Sequence, residues 1–207
     1  EISKMKEKNI AIELLKKLLA ERVTIYQKTN LVQAEKFSDL LNRALSNYLK
    51  GLLTNEEVIQ ELLKLAAEIS ESENQGNELG LTAEEKSFYD ALTKPRAVQD
   101  IYTNEQLVAM TKELTDALRK NRTIDWQKKE SARAGMRRMI KRLLKKYKYP
   151  PEEAENALET VIHQCEQWSD NDSDEYSINE STQKYNFQQS YYSIAADEIH
   201  EGYNKKL

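Results

Sequence analysis

Apolar residues recur at intervals of three and four along most of the chain, the period of a helix that buries one side. Ile10, Leu14, Leu15, Leu18 and Leu19 form the first such face. Ala34, Phe37, Leu41, Ala44, Leu45 and Tyr48 form the next. Asn30 opens that helix as an N-cap, and Lys50 followed by the C′ glycine Gly51 closes it. Three capping boxes mark further starts, at Thr54 to Glu57, Thr82 to Glu85 and Thr103 to Gln106. In each, the threonine hydroxyl bonds forward while the third residue of the helix reaches back. Behind them lie Val58, Leu62, Leu65 and Ile69, then Phe88, Tyr89 and Leu92, then Leu107, Met110, Leu114 and Leu118. Pro95 ends the middle one.

A further helix is predicted from an N-cap at Asp125, with Ala132, Met136, Met139, Ile140, Leu143, Leu144 and Tyr147 on its apolar side. Gly135 in mid-helix costs about 1 kcal/mol against alanine, which predicts close approach by another helix at that level. Pro150 and Pro151 stop this element, and Pro151 suits the first position of the next, with Glu152 and Glu153 in its first turn. Ala154, Leu158, Val161, Ile162 and Cys165 continue it. So short a connection predicts an antiparallel helical hairpin.

Two stretches lose the period. Residues 71–80, "ESENQGNELG", read as a linker or exposed loop between an N-terminal group of helices (1–70) and a C-terminal group (81–168). Residues 169–207 are polar and read as a flexible tail, with a short helix near Ile194 to His200. The predicted fold class is therefore all-α, a bundle of about six to eight helices. With 5 Gly and 3 Pro in 207 residues, there are few breakers to interrupt such helices. No apolar run is long enough to span a bilayer, so no membrane partner is expected. The lone Cys165 excludes an internal disulfide and fits a reducing compartment. The chain opens on Glu1 rather than Met and reads as a piece of something longer, or as a processed product.

Tests for reaction chemistry assign no catalytic, cofactor-binding or metal-binding residue. No glycine-rich turn precedes a Lys-Ser/Thr pair, so backbone amides cannot cradle phosphates as in a P-loop. His163 and Cys165 stand two apart on one helix and point in different directions. "DNDSDE" (Asp170 to Glu175) begins like a calcium loop, but Glu175 stands where glycine is required and Ser181 where the bidentate glutamate belongs.

Charge changes the picture in one place. The chain carries a formal net charge of -4, yet between Lys128 and Lys148 ten cations face a single acid, Glu130. Arg133, Arg137, Arg138, Lys141, Arg142, Lys145 and Lys146 form the candidate interface. Three readings stay open. Glu152, Glu153, Glu155, Glu159 and Glu166 on the adjacent helix can neutralise the hairpin, and long cationic stems can cover apolar surface. The stripe can track DNA phosphates, against which stand the overall acidity and the lack of a helix-turn-helix signature. Or it can meet an acidic protein surface, where arginine forks pair with carboxylates.

Several segments in order carry a resemblance: "KNIAIELLKKLL", "NLVQAEKFSDLL", "EEVIQELLKLAAEI", "LGLTAEEKSFYDAL" and "RTIDWQKKESARAGMRRMIKRLLKKYKYPPE". Together they resemble the C-terminal helical region of the restriction (R, or motor) subunit of type I restriction-modification enzymes, as far as about Trp168. "TIDW", Ala132-Arg133-Ala134 and "RLLKKYKYPPE" are the most specific pieces. One departure is Lys148, where members often have Gly, which implies a tighter helix end here. The resemblance implies a parent that is an ATP-dependent DNA translocase and endonuclease of the bacterial cytoplasm, using ATP and Mg, with its nuclease and motor N-terminal to this region. It implies that this region is a non-catalytic assembly module, docking the motor onto its methyltransferase core. The expected partners are the modification and specificity subunits of the methyltransferase core, the rest of the motor subunit, and DNA in the full complex. A DNA-contacting module that guides the duplex near the motor is the alternative.

Overall fold

The computed structural model describes residues 7–122 and 126–175, except the side chains of Arg96 and of residues 169–175. Eight helices and no strand make up the described residues: α1 (Lys8–Thr29), α2 (Leu31–Leu49), α3 (Asn55–Glu78), α4 (Ala83–Thr93), α5 (Arg96–Ile101), α6 (Asn104–Asn121), α7 (Glu130–Lys146) and α8 (Pro151–Glu175). The fold is all-α. The helix expected from an N-cap at Asp125 instead starts at Glu130, with Lys129 in the N-cap position and no side-chain cap, because residues 126–129 form a turn. Asp125 itself, the calcium-like side chains of 170–175 and the tail beyond Glu175 with its short helix lie outside the described residues.

Local sequence sets the helix starts. Thr54, Thr82 and Thr103 each form a complete capping box, with Glu57, Glu85 and Gln106 reaching back. Asn30 caps α2 by accepting from the Gln33 amide at 3.1 Å. Gly51 and Gly80, at φ +71° and +62°, supply the left-handed turns that follow α2 and α3.

Two hydrophobic cores result. The first gathers α1, α2 and α3 around Phe37, Val58, Ile59 and Leu62. Lys8 meets Glu56 at 3.5 Å and Arg22 meets Glu73 at 3.6 Å, so α1 and α3 run parallel, with α2 returning between them. The second core takes residues from α4 through α8, centred on Phe88, Leu92, Leu107, Met110, Leu114, Ile140, Leu158 and Val161.

A buried polar junction joins the two. Asp90 on α4 pairs with Lys86 and accepts from the Asn30 amide at 2.7 Å and the Gln33 amide at 3.1 Å. Gln164 on α8 accepts from the Leu31 N–H at 2.8 Å and donates to the Thr29 carbonyl at 3.1 Å. Trp168 donates from Nε1 to the Ser87 hydroxyl at 3.0 Å. The stretch of α4 from Lys86 to Thr93 is buried at every position, since it lies where both cores meet.

Three expectations are corrected. Residues 71–78 are not a linker, because α3 continues to Glu78. Polarity alone does not stop a helix, and Gly76 is a point of close approach rather than a turn: the Lys86 Cγ would lie 3.4 Å from a Cβ placed there. Likewise α8 persists beyond Trp168 to Glu175, since propagation adds one hydrogen bond per residue fixed and no Gly or Pro follows Pro151 before Gly202. On α1 the buried face is Ala11, Ile12, Leu15, Leu19 and Val23, while Ile10 and Leu14 are 58% and 40% exposed. Apolar residues cover so wide an arc there that periodicity alone did not select the face.

The end of α7 gives a first prediction. Lys148 sits at φ +58°, with its N–H bonded to the Lys145 carbonyl at 3.0 Å and the Tyr149 N–H bonded to the Leu144 carbonyl at 2.9 Å. This is a Schellman ending with lysine in the glycine position. Lys148 does not tighten the helix end; it holds the turn that glycine takes without strain. Lys148→Gly is expected to stabilise the chain by roughly 0.5–1 kcal/mol, the relief of left-handed strain less the added freedom of the unfolded glycine. A thermal melt that does not rise would count against this geometry.

Candidate functional site

The helix that carries the candidate cations is strongly two-sided. Met136, Ile140, Leu143 and Leu144 are buried in the second core, which fixes the rotation of α7. Trp126 and Tyr149 clamp its two ends, at 2% and 5% exposure. The Tyr149 hydroxyl donates to the Leu92 carbonyl at 2.7 Å, and burial pushes its phenol well above the ordinary range. The Tyr102 hydroxyl donates to the Tyr147 carbonyl at 3.0 Å. Trp126, Tyr147 and Tyr149 thus act as core and anchoring residues of α7.

With α7 so oriented, its cations divide into three groups. Arg133, Arg137 and Lys141 face α8, where they meet Glu166 at 2.9 Å, Glu159 at 2.5 Å and Glu155 at 2.9 Å. The falling partner numbers confirm the antiparallel hairpin. Arg137 binds both oxygens of Glu159, the second at 3.0 Å. That fork holds the Glu159 carboxyl below the ordinary 4.5.

Lys146 turns the other way, to α6, and reaches Glu113 at 2.6 Å, where the Tyr147 hydroxyl also donates at 2.8 Å. Lys146 first and Tyr147 second hold the Glu113 carboxyl below 4.5. Both carboxylates therefore add stability at neutral pH that fades as pH falls through their lowered folded-state values. Their exposure keeps that contribution small.

The third group is Arg138, Arg142 and Lys145. All are exposed, and none has a carboxylate partner among the described residues. Arg138 Nε donates to the Ala134 carbonyl at 3.2 Å and Arg142 Nε to the Arg138 carbonyl at 3.3 Å. Each guanidinium is thereby pinned along its own helix through Nε. Self-neutralisation therefore accounts for four of the seven predicted residues and leaves three outward.

The Gly135 expectation fails within the chain. A Cβ at Gly135 would find nothing within 4 Å, so none of the described helices approaches it. The position opens onto a groove of about 810 Å³ between α6 and α7, lined by Glu113, Ala117, Asn121, Met136, Met139 and Arg142 among others. Periodicity could not reveal this groove, because it depends on how far apart two helices settle.

Among the described residues, no three His, Cys, Asp or Glu side chains converge to hold a metal, and no helix is long and apolar enough to cross a membrane. His163 is exposed and Cys165 buried, on different sides of α8.

Fold and face together define a helical bundle with a partly unpaired cationic helix. The chain belongs to the family described as type I restriction enzyme HindI endonuclease subunit-like, C-terminal, whose model matches residues 1–171. It is 39% identical over 160 residues to the type I restriction enzyme HindI endonuclease subunit of Haemophilus influenzae. It is 31% identical over 147 residues to the putative type I restriction enzyme MjaIXP endonuclease subunit of Methanocaldococcus jannaschii. The matches take in 77% and 70% of this chain but span 15% and 14% of those relatives. No solved structure matches the chain.

Proposed function

We propose that this chain is the assembly module of a type I restriction motor subunit, docking the ATP-dependent translocase and endonuclease onto its methyltransferase core. The observation that carries this reading is the sorting of cations on α7. The fold neutralises Arg133, Arg137, Lys141 and Lys146 with its own glutamates and leaves Arg138, Arg142 and Lys145 facing outward. Arginine forks already held against their own helix lose little freedom on meeting a carboxylate. The module itself carries out no chemistry; ATP, Mg and the nuclease centre belong to the rest of the parent subunit.

Reversing Arg138, Arg142 and Lys145 to Glu together in the full-length subunit tests this. The melting temperature should barely move, because exposed charges contribute little. Attachment to the purified methyltransferase core should weaken by roughly tenfold or more, with modest salt dependence. Unchanged attachment with loss of non-specific DNA binding, steeply salt-dependent in the wild type, would replace docking with the DNA-guiding reading.

A further inference from the structure

We propose that the groove between α6 and α7 receives an amphipathic helix of a partner protein, its apolar ridge seated over Gly135 and its carboxylates against Arg138 and Arg142. This deepens the docking reading and rests on it for the identity of the assembly, though not for the groove itself.

The floor of the groove is apolar. Ala117 on α6 and Ala132, Gly135, Met136, Met139 and Leu143 on α7 line it. Ala132, Gly135 and Met139 are only half-buried, so apolar surface is left uncovered there. Methionine adapts its shape to an incoming surface and recurs where helices are captured. Small residues at Ala117, Ala132 and Gly135 let a third backbone come close. Gly135 costs roughly 1 kcal/mol in mid-helix against alanine. Nothing among the described residues explains it, since beyond its own helix backbone none of them comes within 4 Å of where a Cβ would be. Close approach from outside the chain does.

Charge selects the occupant. Arg138, Arg142 and Lys146 border the groove against one carboxylate, Glu113, which Lys146 and Tyr147 already occupy. The rim therefore presents two guanidinium groups that have no carboxylate partner among the described residues, beside an apolar floor. They lie four residues apart on one edge, matching carboxylates spaced one helical turn apart on a docked helix. A DNA backbone fits this less well. Phosphates gain nothing from methionine and alanine, and a duplex is too wide to enter between two helices of one bundle.

The test uses the full-length parent subunit with purified methyltransferase core. A photo-reactive p-benzoylphenylalanine at Met139 should cross-link to a helical segment bearing acidic residues, identified by mass spectrometry. Gly135→Leu should fill the groove and weaken attachment by roughly tenfold, without lowering the melting temperature, while Gly135→Ala should keep the fold and weaken attachment less. A cross-link to DNA, or to a segment without acids, overturns the proposal. So does the absence of any protein cross-link. If the Arg138, Arg142 and Lys145 reversal weakens attachment while Gly135→Leu does not, docking stands and the groove proposal falls. If neither weakens attachment and Met139 cross-links only to a helix elsewhere in the parent subunit, docking and the groove proposal both fall.

Discussion

Replacing Asp90 with alanine is expected to destabilise the bundle by roughly 3–5 kcal/mol, the cost of leaving a buried charge without its counter-ion. Asp90 and Lys86 are 6% and 7% exposed. Removing the carboxylate strands the ammonium in the seam between the two cores. It also takes the acceptor from the Asn30 and Gln33 amides, each of which donates to Asp90 Oδ2. Lys86 cannot swing out cheaply, because its stem packs over Gly76 and its Nζ lies 5.7 Å from the centre of the Tyr89 ring. Chemical denaturation measures the loss. A change below about 1 kcal/mol would show a solvated pair, worth no more than a surface one.

Trp126→Ala should cost a similar amount, about 3–5 kcal/mol, as large-to-small changes at filled core positions do. Trp126 is among the largest fully buried side chains and shares the second core with Met136, Ile140 and Leu158. It also sits where the chain turns from α6 into α7, so its loss removes the wedge that sets the start of the cationic helix. For a chain of this size the melting temperature should fall by roughly 6–20 °C. Trp126→Phe should lose much less, since most of the apolar area is kept. If alanine and phenylalanine behaved alike, the indole would not be filling the core.

Both sites show what a linear reading can and cannot see. The helix starts were legible at Thr54, Thr82 and Thr103 because a capping box is complete within four residues. So was the hairpin, because Pro150 and Pro151 leave no room for anything but a reversal. Asp90 gave no signal. An acid on a capped helix reads as solvated unless one knows that Asn30, sixty positions earlier, comes to lie against it. The cations of α7 were visible, but which ones meet glutamates was not. Rotation of α7 about its axis decides that, and the whole second core sets the rotation. The helix α5 was missed because six residues after a proline are too few to show a period. Gly135 was read as a call for close approach by another helix, and no described residue comes near it, because the spacing of α6 and α7 is not written in the period of either.

The polar junction also has a bearing on how the chain is made. The first core needs nothing beyond Ile69, so α1, α2 and α3 can close on one another early in synthesis. The corner between α1 and α2 is different. Its Thr29 carbonyl and Leu31 amide wait for Gln164, which follows Leu31 by 133 residues. Until α8 leaves the ribosome, water must occupy that corner, and the early helices stay a provisional structure. The helix α8 is therefore a latch on the first ones. A chain interrupted before Gln164 would keep its first core yet leave that corner open to solvent.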